Sequence, residues 1–307
     1  MKGFQHRAAE TQQPQFLFPA GSQFGHDNLV LHATGRRHVV KDFAGPLSIK
    51  TVVRGEIQWD VGGRSLLVDS NTFLVLGDGE RYSMNIDSAK PVESCCVFFR
   101  KGFVEEIARD STTTLAASLE SPWKEPPRLD FLSRLHSDWN RTILPQVSSV
   151  AERCGRELQP SGSEEEFLTL SQNLLLFYAE VKAQISRVPA AKTSTRKELF
   201  RRLEIAREYL HGNVDRRISL DEVSKEACLS RFHLHRAFRR VFRLTPHAYI
   251  TSLRLGRARS LLEGGRSVTD VALDVGFTSV SAFTRLFRSR YGMPPSGVPK
   301  IRKIGQA

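Results

Sequence analysis

Two stretches carry side chains able to grip a polyanion. RFHLHRAFRRVF, from Arg231, and VSAFTRLFRSRYG, from Val280, set arginines at helical spacing against a row of apolar residues. In the first, Leu234, Ala237, Phe238 and Val241 fall on one side of a helix and Phe232, His235, Arg236 and Arg239 on the other. One face of such a helix suits a protein core and the other suits the major groove of DNA. A single surface arginine is only a solvated charge. Its recurrence at matched positions in two segments is what gives these weight.

Those helices need a frame, and the sequence repeats one. SLDEVSKEACLS precedes the first stretch and SVTDVALDVGFTS the second. Placing Cys228 on Gly276 puts Val223 on Val271, Ala227 on Val275 and Leu229 on Phe277. With one extra residue in the second turn, Leu234 falls on Phe283, Arg236 on Arg285, Phe238 on Phe287 and Arg239 on Arg288. Each copy reads as helix, tight turn, helix. Ser219 with Glu222 has capping-box spacing, Ser267 with Asp270 a weaker form of it, and Ser230 and Ser279 can cap the second helices. Little side-chain volume is expected to fit at Cys228 and Gly276. Between the copies, Thr245-Pro246 starts a helix that Gly264-Gly265 ends. Its Ile250, Leu253, Ala258, Leu261 and Leu262 form a seam, as expected of a rigid spacer.

Charge agrees. The net +12 lies wholly in residues 201–307, which hold 21 Lys and Arg against 9 Asp and Glu, while residues 1–200 hold 24 of each sign. A basic domain joined to a neutral one implies a polyanionic partner for the basic part.

Taken together, LDEVSKEACLSRFHLHRAFRRVFRLTPHAYITSLRLGRARSLL and VTDVALDVGFTSVSAFTRLFRSRYGMPPS resemble the DNA-binding domain of the AraC/XylS transcription regulators. The chain departs from the family's pattern after Pro-Ser, with Gly297-Val298-Pro299. The resemblance implies that both second helices enter successive major grooves of double-stranded DNA. By matching position, Phe232, His235, Arg236, Val280, Ser281 and Arg285 would face base edges. Arg236 and Arg285 can pair bidentately with guanine, each worth about 1–3 kcal/mol of discrimination. Phe232 and Val280 offer apolar contact only. Arg239, Arg240 and Arg288 are assigned to phosphates, giving affinity without sequence information. The family also implies RNA polymerase as a partner.

The N-terminal half reads as a different fold class, so the whole is an α+β multidomain chain. SIKTVV, EIQWDV, RSLLVD, NTFLVL, RYSMNI and SCCVFF are short strands separated by Arg54-Gly55, Gly62-Gly63, Ser70-Asn71 and Asp78-Gly79. Such spacing predicts an antiparallel β-barrel, and this region resembles the cupin-like sensor barrel of many AraC/XylS members. Trp59, Phe73, Tyr82 and Met84 are candidates to line a pocket for a small-molecule effector, or else to be plain core. Arg36-Arg37 reads as a solvated charge pair in preference to a contact for an anionic effector. Metal-bearing cupins need a His-x-His with Glu and a further His; from Leu29 to Phe99 there are only the isolated His32 and His38, so no metal or cofactor is expected. Cys95 and Cys96 read as buried strand thiols.

Helical periodicity is read from Phe131, Leu132 and Leu135 onward, and again over residues 167–181. There Phe167, Leu170, Leu174 and Tyr178 make one stripe and Leu168, Leu175 and Leu176 adjoin it, which suggests a homodimer. The expected order is an N-terminal arm to residue 25, a barrel over 26–110, a helical dimerisation segment over 111–186, a linker over 187–199 and the DNA-binding domain over 200–299. No apolar run is long enough to span a bilayer, and the expected compartment is the cytoplasm. Two rival readings fit less well: an architectural DNA protein without effector has no use for the neutral barrel, and an enzyme with a DNA-targeting tail needs a metal set or nucleophile–base pair that residues 1–186 do not offer.

Overall fold

Glycine turns and alternating apolar residues build the first unit. The computed structural model describes residues 15–17, 22–112, 129–131, 134–137, 142–157, 162–190 and 192–300. The chain divides into two units, Met1–Ala179 and Glu180–Ala307.

In the first unit an eight-stranded antiparallel sheet closes most of the way into a barrel. Its strands are β1 (Gln15–Leu17), β2 (Leu29–Ala44), β3 (Ser48–Arg54), β4 (Glu56–Val61), β5 (Arg64–Asp69), β6 (Thr72–Leu76), β7 (Arg81–Phe98) and β8 (Arg134–Ser137). The order is β1-β2-β7-β3-β6-β8, with β4 pairing both β5 and β7. Gly62 and Gly63 close the β4–β5 hairpin at φ of 55° and 74°, the left-handed pair that a two-residue hairpin turn requires.

Three elements differ from the sequence reading. The predicted strands RYSMNI and SCCVFF are the two ends of one strand, β7, which pairs along β2. Residues 88–91 have no partners in that ladder, so Pro91 costs no hydrogen bond there. The predicted arm contributes β1, with Phe16 opposite Ala33. The helix expected at Phe131–Leu135 is instead β8, with Leu135 opposite Leu74 of β6. Leu135 joins the barrel interior while His136, on the other face, stacks on Phe73 at 5.0 Å. Leu132 and most of the arm lie outside the described residues.

The sheet has two apolar faces. Inside the barrel, Val52, Ile57, Trp59, Val61, Leu66, Val68, Leu74 and Leu76 pack together. On the outer face Ile49, Phe73, Val75, Cys95 and Val97 are covered by α1 (Phe103–Thr112), α2 (Ile143–Glu157) and α3 (Glu164–Ser186). Cys95 and Cys96 are therefore buried on opposite sides of one strand. Phe167, Leu170 and Leu174 are each at most 4% exposed against this outer face. One stripe of α3 is thus covered by its own barrel, and the outward leucines are Leu168, 38% exposed, and Leu176, 69% exposed.

The second unit is helical. Its apolar packing begins at Val181, within α3, and continues through Val188, Leu199 and Phe200. Helix α4 (Thr193–Gly212) starts inside the predicted linker, and Arg187 and Arg196 bond to the carbonyls of Val241 and Ala190. Then follow α5 (Leu220–Glu226), α6 (Arg231–Phe242), α7 (Pro246–Glu263), α8 (Val268–Asp274) and α9 (Val280–Tyr291). No helix among the described residues is long and apolar enough to cross a membrane.

Candidate DNA-binding interface

Each arginine-bearing helix is fixed at its start by a serine. The Ser230 hydroxyl accepts from the His233 amide, and the Ser279 hydroxyl from that of Ala282. The preceding helices are capped too. Ser219 and Glu222 form a complete capping box, and the bonds from Ser219 and Arg216 hold the Glu222 carboxyl down to about 2. Ser267 accepts from the Asp270 amide without the reciprocal backbone bond.

The two turns close alike. The amide of Leu229 bonds to the Ser224 carbonyl at 2.9 Å, and that of Phe277 to the Ala272 carbonyl at 3.0 Å. Cys228 and Gly276 both take left-handed backbone, at φ of 51° and 81°. The requirement at this position is conformational. Cys228 is exposed, so limited volume applies only at Gly276, where an added Cβ would stand 3.0 Å from the Asp215 carbonyl and 2.9 Å from Arg254 Nη2.

Leu234, Ala237, Phe238 and Val241 are each at most 1% exposed and pack with α4, α5 and the start of α7. In the second copy Phe283 and Phe287 are fully buried with Val271, Ala272 and Val275. Helix α7 serves both cores. Its Tyr249, Ile250 and Leu253 belong to the first, and its Leu255, Ala258, Leu261 and Leu262 to the second. Arg254, between the two groups, donates to the carbonyls of Val214 and Arg216. The spacer is thereby bonded to the loop before α5 and packed under the turn of the second copy.

With their inner faces so committed, α6 and α9 present the remaining side chains outward. Phe232 is 76% exposed, and His235, Arg236, Arg239 and Arg240 are exposed beside it. On α9, Ser281, Arg285 and Arg288 are exposed and line an open groove of about 800 Å³. Val280 is half-buried at the edge of the second core and also lines the groove. Thr284 and Ser289 share that groove and escaped the sequence reading, although each stands four residues after a named member, Val280 and Arg285. Arg231, the first residue of α6, and Arg266, in the turn before α8, pair with Asp221 and Asp274. Among the described residues, Arg236, Arg239, Arg240, Arg285 and Arg288 have no carboxylate partner.

The expected effector residues do not form one pocket. Trp59, Tyr82 and Met84 lie in the barrel interior, whereas Phe73 is on the outer face under the helices. Phe73 and Leu74 alternate across β6, so a one-residue step moves a side chain to the other face. Arg37 pairs with Asp87 on the surface. Among the described residues no group of three or more His, Cys, Asp or Glu is placed to hold a metal ion.

Two capped, arginine-faced helices on a shared spacer define a tandem helix-turn-helix DNA-binding protein. Residues 223–300 match the family described as "Helix-turn-helix domain". The chain is 27% identical over 199 residues to the HTH-type transcriptional activator RhaS of Escherichia coli K12, covering 59% of this chain and 68% of that one. Among solved structures, a probable AraC family regulator from Rhodopseudomonas palustris is 29% identical over 32% of this chain and 94% of its own, with a TM-score of 0.31. ToxT of Vibrio cholerae is 15% identical over 88% and 97%, with a TM-score of 0.35. Residues 223–300 are thus a helix-turn-helix domain, and the chain is similar to DNA-binding transcription regulators of the AraC type.

Proposed function

We propose that this regulator reads a bipartite DNA site with α6 and α9, and that its barrel takes a small-molecule effector that governs the reading. The observation that carries this is the pair of arginine faces left without carboxylate partners on two helices whose inner faces are fully buried. Phe232, His235 and Arg236 are assigned to base edges of one major groove, and Val280, Ser281 and Arg285 to those of the next. Arg239, Arg240 and Arg288 are assigned to phosphates. Thr284 joins the second set by its place in the groove. The protein acts in the cytoplasm as a homodimer; two outward leucines on α3, Leu168 and Leu176, support a self-pairing face. Activation through RNA polymerase is the sign of regulation we infer, following the activator named above.

Single substitutions separate these roles. Arg236→Ala and Arg285→Ala should each relax preference at one part of the site, the two parts lying about 10 base pairs apart. Arg240→Ala should weaken all sequences alike and lower the salt slope by about one unit. Equal effects of all three on every sequence would show that no base is read by these arginines. The effector reading has its own test: a reporter behind the selected site should respond to growth substrate with the full chain and lose that response with residues 190–307 alone.

A further inference from the structure

Helix α7 is packed into the first core by one half and into the second core by the other, so its middle is where the two copies would swing apart. Arg254 stands there, the ninth of the helix's eighteen residues. Its half-buried guanidinium donates from Nε to the Val214 carbonyl at 2.9 Å and from Nη2 to the Arg216 carbonyl at 2.6 Å. Both carbonyls belong to the loop that leads into α5, and that loop is itself fixed to the first copy. Arg216 donates to Asn213 Oδ1, to Glu222 Oε2 and to the Tyr209 hydroxyl, each at 2.7 Å, and Val214 is buried. Whatever holds this loop therefore holds the first copy.

The same guanidinium also meets the second copy. A Cβ on Gly276 would lie 2.9 Å from Arg254 Nη2, 3.0 Å from its Cζ and 3.0 Å from the Asp215 carbonyl oxygen. The turn of the second copy thus rests on Arg254 and on the backbone of the first copy's loop at once. Phe277, the next residue, has its ring centre 6.0 Å from Arg254 Cζ and packs at 5.2 Å against Phe283 of α9. We propose that Arg254 is a positioning residue that clamps the first copy's loop to the second copy's turn, and so restricts the protein to one spacing between the two blocks of its site. The planar fork suits the task, because it bonds two carbonyls together where an ammonium would offer a single point. One extra base pair between the blocks shifts the second by about 3.4 Å and turns it by about 35°. A frame clamped at its middle does not follow that turn. The inference rests on the bipartite reading and names what fixes its spacing.

The test uses the full chain and duplexes carrying the two blocks that it selects from a random pool, set at the selected spacing and at one base pair more or fewer. The wild type should lose at least about tenfold in affinity at either altered spacing. Arg254→Met should bind all three duplexes within about threefold of one another while keeping its guanine preference inside each block. A loss of folded protein would scale all three affinities together, so the ratio between spacings reports the clamp and not stability. Arg254→Lys serves if the first variant fails to melt cooperatively, and should broaden the spacing in the same way. Arg259→Met is the control for lost charge: Arg259 pairs with Glu263 on the same helix, and its removal should leave the spacing profile as in the wild type. A wild type indifferent to spacing, or an Arg254 variant with the wild-type profile, overturns the clamp and leaves the bipartite reading standing. A pool that yields one block or none overturns the bipartite reading and the clamp with it.

Discussion

Gly276 offers the sharpest test of how the second helix-turn-helix unit is held. Its φ of 81° is open to glycine and costs an L-residue about 1–2 kcal/mol. An alanine Cβ would also stand 3.0 Å from the Asp215 carbonyl and 2.9 Å from Arg254 Nη2. The carbonyl is backbone and cannot swing aside, so the guanidinium must shift from the carbonyls of Val214 and Arg216, to which it donates. Weakening one charge-assisted bond adds about 1.5 kcal/mol. Gly276→Ala should therefore cost about 3 kcal/mol. For a domain of this size that lowers the calorimetric transition of the second unit by about 11 °C. Cys228 provides the internal control, since it holds the equivalent left-handed conformation at φ 51° with an exposed side chain. Cys228→Gly relieves that strain, and the greater freedom of glycine in the unfolded chain offsets about half the gain. The net expectation is a stabilisation of about 0.5 kcal/mol. Opposite signs at the two equivalent positions are the signature. A loss under 0.5 kcal/mol for Gly276→Ala would refute the close approach of α7 to this turn.

Two further outcomes follow from side chains of the first unit. Leu176→Lys, at the outward face of α3, should convert a sedimenting dimer to a monomer without changing the melting of the barrel, whereas Leu174→Lys should unfold the packing because Leu174 is buried against its own sheet; a monomeric wild type at tens of micromolar would refute the self-pairing face. Buried on β3, Lys50 binds its proton less tightly folded than unfolded, so the unfolded state holds more protons between pH 8 and 10.5 and stability rises with pH across that window. The barrel should gain about 2 kcal/mol between pH 8 and 10, and Lys50→Met should lack that gain in urea titrations.

The reading helices were legible because both their faces obey one period. Leu234, Ala237, Phe238 and Val241 repeat at three and four residues, and whatever lies between them must face outward. The duplication also carried the caps and the turn, since those depend on neighbours in sequence. The barrel was legible only where strands are short and bounded by glycine. β2 was missed: its outer half, around Arg36 and Arg37, is largely exposed, so alternation fades, and two register shifts break the period. β8 was misread as helix because RLHS is too short for a period to show, and its identity comes from β6, about sixty residues earlier. Lys50 could not be found in SIKTVV. A lysine in a strand is ordinarily turned to solvent, and the rings that enclose this one come from Tyr82 and Phe98, on a strand distant in sequence. Arg254 gave no signal for the same reason, as its partners at Val214 and Arg216 are 38 to 40 residues away.

The most direct measurement is selection of binding sites from a random duplex pool by the full chain, at fixed salt. The account predicts an enriched motif with two conserved blocks about 10 base pairs apart, each containing a guanine whose selection vanishes in Arg236→Ala or Arg285→Ala respectively. A pool without an enriched motif, or a single block unaffected by either substitution, would contradict it.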